Sequence, residues 1–177
     1  MPKRVPRHIP PQPDDLFYRY IPLTQGQNAK VDVEDYEWLS QWNWQALWDP
    51  KVKSFYAVRK NPPPKSRMMK MHRQILGAIE GETVDHKNHD TLDNRRYNLR
   101  KCSAQQNAYN QGPSAKNTTG FKGVHKRKDR NIWEVQMRIN GKKKYIGTYY
   151  SAEDAARAYD SIAKELHGSF AWLNFAR

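Results

Sequence analysis

Cysteine is nearly absent from this 177-residue chain: Cys102 is its single thiol. That excludes an internal disulfide and a cysteine-rich zinc site, and it suits a reducing compartment. Long apolar runs are missing too. No stretch approaches the roughly 20 residues that cross a bilayer, and the opening MPKRVPRHIPPQPDD lacks the apolar segment of a secretory signal. The expectation is a cytoplasmic protein with no membrane partner. Acidic charge is scarce against basic, 18 Asp and Glu facing 31 Lys and Arg, for a formal charge of +13. Such an excess favours a polyanionic partner, because each phosphate neutralised releases condensed counterions. From Gly112 onward there are 13 basic against 6 acidic residues, and before it 18 against 12, so both halves are basic.

What is present divides into four stretches. Residues 1–15 form a basic arm rich in proline. Residues 16–110 begin with an aromatic-rich subdomain. There, acidic residues around Val31–Asp35 lead into a short helix carrying Tyr36, Leu39 and Trp42. Strands follow over 44–48 and 54–58, turning at Asp49-Pro50. Trp38, Trp42, Trp44 and Trp48 are expected in a small core, since aromatics carry most of the burial in a domain of this size. Pro62-Pro63-Pro64 then breaks the chain. Residues 111–119, QGPSAKNTT, have the composition of a linker.

From residue 120 to 177 the pattern changes. Trp133, Val135, Met137 and Ile139 alternate with polar residues, the period of a half-buried strand. Asn140-Gly141 signals a hairpin into a strand over 143–149, and a third strand is expected at 124–127. Ser151 with Asp154 opens a helix. Its expected apolar stripe is Ala155, Ala158, Tyr159, Ile162 and Leu166, and Gly168 ends it. The unit is three antiparallel strands with one helix on one face, leaving Gln136 and Arg138 on the other.

The residues that carry chemistry lie in VDHKNHDTLDNRRYNLRKCSAQQNAYN, residues 84–110. Asp85, His86, Asn98 and Asn107 supply a carboxylate, an imidazole and two amides, a set able to hold one divalent ion beside a general base. Phosphodiester hydrolysis needs an activated water, a charge to steady the crowded phosphate and help for the departing oxygen. Ser103 with Gln106 starts a second short helix, SAQQNAYNQ, in whose first turns Asn107 sits. Mg²⁺ suits such oxygen ligands. His72 is expected to support the core beneath the site, and Cys102 to be a small buried side chain. Arg95, Arg96, Arg100 and Lys101 are candidates for backbone phosphates.

The ordered string Asp85-His86, Leu92-Asp93-Asn94-Arg95, Asn98-Leu99-Arg100 and Asn107 resembles the HNH endonucleases, and more narrowly the phage and intron homing type. The resemblance implies a ββα-metal (His-Me finger) nuclease domain within an α+β protein. It implies His86 as general base, Asp85 and Asn107 as metal ligands, with Asn110 one turn on as a rival to Asn107, and Asn98 as the residue that orients the catalytic loop. It also implies Mg²⁺ or another divalent ion such as Mn²⁺, and a 5′-phosphate and 3′-hydroxyl as products. Should the gene belong to a phage, the location would be the host cytoplasm.

A second resemblance covers about Gly120 to Phe175. Gly120-Phe121-Lys122-Gly123-Val124, the Trp133 strand, Tyr145-Ile146-Gly147-Thr148-Tyr149, Ala155-Ala156-Arg157-Ala158-Tyr159-Asp160 and Leu173-Asn174-Phe175 together resemble the APETALA/ethylene-response-factor DNA-binding domain. That family lays a three-stranded sheet in the major groove. By position His125, Arg127, Gln136, Arg138 and Tyr145 would contact double-stranded DNA, with Arg130 and Lys143 added on geometry and charge. His125 stands where plant members usually carry Arg, so their target sequence is not implied. The expectation is a site-specific DNA endonuclease, nicking as a monomer or cutting both strands as a homodimer. Its rivals are a non-catalytic DNA-binding regulator on a nuclease-like scaffold and, second, an RNA-binding or RNA-cutting protein.

Overall fold

Small apolar residues alternating with polar ones make a hairpin of β1 (Tyr18–Pro22) and β2 (Asn28–Asp32), with Ile21, Ala29 and Val31 turned inward. Its tight turn holds Gln25 and Gly26 at φ 59° and 67°, the left-handed geometry that matches strand twist. The computed structural model describes residues 7, 9–14, 17–61, 67–139 and 141–175. Most of the basic arm, the Pro62-Pro63-Pro64 break and Asn140 of the expected hairpin lie outside the described residues. Backbone contacts divide the chain into two compact units, Met1–Ser103 and Ala104–Arg177.

In the first unit α1 (Val33–Ser40) follows β2 directly, with Glu34 and Asp35 in its first turn. β3 (Gln45–Asp49) and β4 (Ser54–Lys60) pair antiparallel, and β5 (Met68–Lys70) extends the sheet beside β4. Asp49 Oδ1 accepts from the Lys51 amide at 2.9 Å, fixing the turn between β3 and β4. The short helix α2 (Met71–Ile75) runs on from β5, and β6 (Thr83–His86) pairs with β7 (Leu99–Cys102). One apolar cluster gathers these pieces around Trp44, Leu39, Val31, Met71 and Val84. Trp44 is fully buried and donates Nε1–H to the Leu39 carbonyl at 2.9 Å. The tryptophan expectation needs correction: Trp42 and Trp48 are 40% and 48% exposed. They sit outside the core because Trp42 packs under the Arg59 guanidinium and Trp48 meets Phe55 edge-on.

In the second unit α3 (Ala104–Asn110) precedes a three-stranded antiparallel sheet of β8 (Val124–Lys126), β9 (Trp133–Ile139) and β10 (Lys142–Tyr149), with β9 central. α4 (Ala152–His167) covers one face. Ser151 Oγ accepts from the Asp154 amide at 3.0 Å, the cap expected from sequence. Ala155, Ala156, Tyr159 and Ala163 are the helix residues that bury, so the stripe is rotated from the expected one and Leu166 is exposed. Gly123, at φ +77°, lets Tyr159 approach its backbone; a Cβ there would stand 2.2 Å from the ring. α3 is fixed within this unit. Tyr109 stacks on His167 at 3.6 Å, and Lys122 donates to the Tyr109 and Gln111 carbonyls at 2.7 and 2.6 Å. Burial pushes the Lys122 ammonium down to about 8.

The architecture is therefore mixed α/β, with several small sheets and few helices.

Candidate nuclease site and DNA-reading face

β6 and β7 form a two-stranded ribbon in which Asp85 pairs with Arg100 and His86 with Leu99. Both Asp85 and His86 are buried, at 7% and 4% exposure. The twelve residues between the ribbon strands are mostly polar, and their own side chains hold them. Asn98, 1% exposed, is the clamp: its Oδ1 accepts from the Asn88 amide at 2.9 Å and its Nδ2 donates to the Asp93 carbonyl at 2.7 Å. Its backbone carbonyl accepts from Lys87 N–H at 2.8 Å. Asn88 Oδ1 accepts from the Asp90 amide and Asp90 Oδ1 from the Leu92 amide, two successive side-chain turns. His89 takes a left-handed conformation, φ 66°, in the first of them.

The loop is also tied outward. Lys30 N–H donates to Leu92 O and Asn94 N–H to Lys30 O, so the loop lies along β2. Thr91 Oγ1 donates to Phe55 O at 2.6 Å, which holds it to β4. Arg95 forks onto Asp93 at 2.8 and 2.7 Å, and Arg96 forks onto Asp35 at 2.8 and 2.7 Å. Burial pushes the Asp93 carboxyl up, but the Arg95 fork outweighs it and the net direction is down. Arg100 donates Nε–H and Nη2–H to Asp85 Oδ2 at 2.9 and 2.7 Å. The side chains of Arg95 and Arg100 are only 18% and 12% exposed. These two candidates for phosphate contact are thus held by carboxylates of their own fold.

His86 packs edge-on against His72 with ring centroids 4.7 Å apart, and against Tyr56 at 6.1 Å. Burial drives the His86 pKa down to about 4, although Asn94 and the carboxylates of Asp85, Asp90 and Asp93 favour the cation. His86 is therefore a neutral imidazole at neutral pH, the form that can accept a proton. His72, 4% exposed, is pushed well below the ordinary histidine range by burial and by His86. Asp85, His86 and Asn98 come together around one ribbon. Asn107 lies on α3, which by its contacts belongs with the second unit. Cys102 is half-buried, its thiol 3.8 Å from the Thr83 carbonyl and pushed up by burial. Among the described residues no group of three or more His, Cys, Asp and Glu side chains could hold a metal ion.

Sequence reasoning missed Asp93, Asn94, Thr91 and the Arg96–Asp35 pair as builders of this loop. The run TLDNRRYN signals turns, but nothing in it says that Asp35, 61 residues earlier, receives Arg96.

In the second unit, strand register puts several candidates on the sheet face opposite α4. Lys143 lies across from Arg138, Tyr145 from Gln136, and His125 from Glu134. His125, Arg138 and Lys143 are exposed, and Tyr145 is 61% exposed. Gln136 Nε2 donates to Glu134 Oε2 at 3.1 Å. Arg127 donates to Asp129 at 2.8 and 2.9 Å and to Glu134 at 3.0 Å, while Arg130 reaches Asp129 only at 3.6 Å. Partial burial and Lys143 push the His125 imidazole down, against Glu134. Trp133 is on the other face, packed on the core. Among the described residues no helix is long and apolar enough to cross a membrane.

Known proteins match both halves. The HNH endonuclease family profile fits residues 71–109, from α2 through α3. An uncharacterized HNH endonuclease of Acanthamoeba polyphaga mimivirus is 30% identical over 165 residues, covering 90% of this chain and 81% of that one. Protein 3.8 of Escherichia phage T7 is 30% identical over 105 residues, 56% of this chain and 86% of that one. An ethylene-responsive transcription factor of Arabidopsis thaliana is 46% identical over 59 residues, 33% of this chain and 23% of that protein. No solved structure matches. With a relative aligned along nearly its whole length and the motif ribbon at its centre, this chain belongs to the HNH endonuclease family.

Proposed function

We propose that the protein is a site-specific, divalent-metal-dependent DNA endonuclease of the homing type, with a ββα-metal nuclease site and a C-terminal DNA-reading domain of the APETALA/ethylene-response-factor kind. The observation that carries this reading is the buried pair Asp85-His86 on a ribbon whose loop is clamped by Asn98. His86, kept neutral by burial, takes a proton from the water that attacks phosphorus. Asn98 holds the loop in register. Asp85, with Asn107 by resemblance, supplies oxygen donors that fit a hard ion keeping several waters, Mg²⁺ or Mn²⁺. The metal, when bound, stabilises charge on the phosphate and the departing 3′ oxygen. That leaves a 5′-phosphate and a 3′-hydroxyl.

The sheet face carrying His125, Gln136, Arg138, Lys143 and Tyr145 reads double-stranded DNA, and Arg127 and Arg130 approach its backbone. The domain boundaries proposed are an arm over 1–15, the nuclease domain over 16–110, a linker over 111–119 and the reader over 120–177.

The rival reading, a non-catalytic regulator, has one observation in its favour: Arg100 already occupies Asp85 Oδ2. Plasmid and source-genome DNA incubated with Mg²⁺ or EDTA separates the two. The nuclease reading expects metal-dependent cutting that His86→Ala reduces by about 100-fold or more with DNA affinity retained. Sequence-specific binding without metal-dependent cutting of either DNA establishes the regulator instead.

A further inference from the structure

Lys70 ends β5 beside the imidazoles, and no described carboxylate lies within 4.0 Å of its ammonium. It is half-buried, with Nζ 3.9 Å from the centre of the Tyr56 ring, and burial pushes its pKa down. Asp49 draws the charge and Arg73 opposes it, both at longer range. The basic side chains of the motif loop are satisfied differently: Arg95, Arg96 and Arg100 grip carboxylates, and Lys87 donates to the Tyr97 carbonyl. Among the described residues the close partner of the Lys70 ammonium is a ring face, and a cation–π contact is worth about 1 kcal/mol. A half-desolvated cation without an anion is unfavourable, and such a charge at the edge of a catalytic group marks a place where an anion docks.

That ring also touches the site. Tyr56 lies 5.5 Å from His72 and 6.1 Å from His86. Both imidazoles are buried, whereas Tyr56 and Lys70 are partly exposed. The ammonium is therefore within about 10 Å of the His86 ring. A hydrogen bond of about 2.8 Å from imidazole to water, an attack distance of about 3 Å, a P–O bond and a second hydrogen bond to an ammonium span a comparable length. We propose that Lys70 is a catalytic residue that binds a non-bridging oxygen of the phosphate attacked at His86, with Tyr56 holding it in place. Lys70 keeps its three protons throughout and forms no bond; it steadies charge that grows as the phosphorus becomes crowded. The proposal rests on the nuclease reading above for its substrate.

Two measurements on the full chain separate its failure from the failure of that reading. In the His86→Ala background, affinity for a random-sequence duplex is measured from about 50 to 200 mM salt. Lys70→Gln should lower the slope of log K against log salt by about 0.9, one phosphate's worth, and Lys70→Arg should restore it. An unchanged slope, with Lys70→Gln still showing the parent's melting transition, overturns the contact. With His86 intact, Lys70→Gln should slow single-turnover cleavage by about 100-fold, a loss typical of one charge-stabilising group, and Lys70→Arg should recover most of the rate. A lost slope with undiminished cleavage overturns the assignment to the attacked phosphate. Absence of cutting by the unsubstituted protein would refute the nuclease, while the slope still decides whether Lys70 binds phosphate.

Discussion

The two units use their basic residues in opposite ways. Around the HNH loop, Arg95, Arg96 and Arg100 are each locked onto a carboxylate of the same unit, Asp93, Asp35 and Asp85. On the sheet of the second unit His125, Arg138 and Lys143 stand in solvent on one face. A loop of twelve mostly polar residues, with Leu92 as its apolar anchor on the core, leans chiefly on its own charged and amide side chains. The sheet is already held by Val135, Met137 and Tyr159 behind it, which frees its outer face for a partner. Positive charge in this chain thus serves the fold in one place and stands exposed in the other, on the face proposed to read DNA, and composition alone cannot tell the two apart.

The comparison breaks most sharply at the element that has nothing polar to spare. Gly123→Ala forces a side chain onto a left-handed backbone and into the Tyr159 ring. Strain and overpacking together should cost the second unit about 3 kcal/mol or more. Hydrogen exchange at Val135 and Met137 should accelerate accordingly, while Val84 and Leu99 keep their protection. Equal loosening of both sets would mean that the units do not unfold separately.

Acid tests the first unit. The His86 pKa falls from 6.5 in the unfolded chain to about 4 in the fold. Between those values the unfolded state binds the extra proton, so this contribution is complete above pH 6.5 and is lost as pH drops toward 4. At about 1.4 kcal/mol per unit the loss reaches about 3 kcal/mol. Denaturant unfolding at pH 7 and pH 4.5 should show it, and His86→Gln should remove this share of the dependence while leaving that of His72, which burial depresses in the same direction. A somewhat smaller effect is expected from Asn98→Ala. It strands the Asn88 amide and the Asp93 carbonyl, worth about 2 kcal/mol by unfolding.

Much of this was legible in the sequence because some signals are local. Alternation through Trp133–Ile139 and the Ser151–Asp154 cap each depend on residues a few positions apart, and the second unit follows from them. Asp85-His86 and Asn98 were readable for the same reason: the ribbon closes over a short loop. The β1–β2 hairpin was not, because its turn is Gln25-Gly26, without the Asn-Gly or Asp-Gly that marks such turns. Trp42 and Trp48 could not be told from Trp44, since what separates them is the Arg59 guanidinium and Phe55. The carboxylate partners of Arg95 and Arg100 were illegible for a related reason. A sequence shows a basic residue, but only the fold shows the carboxylate waiting for it.

The finest test pairs one charge from each unit. Arg96→Ala removes the fork onto Asp35, which is only 3% exposed at its side chain, and leaves that carboxylate without its fork. Lys143→Ala removes an exposed charge that lies across from Arg138 in the strand pairing. Arg96→Ala should therefore lower the unfolding free energy by about 1–3 kcal/mol with little change in the salt dependence of duplex binding. Lys143→Ala should leave unfolding within about 0.5 kcal/mol and lower the salt slope by about 0.9. Exchange of the two outcomes would reverse the assignment of fold and recognition. A loss of slope from both would show that Arg96, half-exposed beside its carboxylate, serves the fold and the DNA at once.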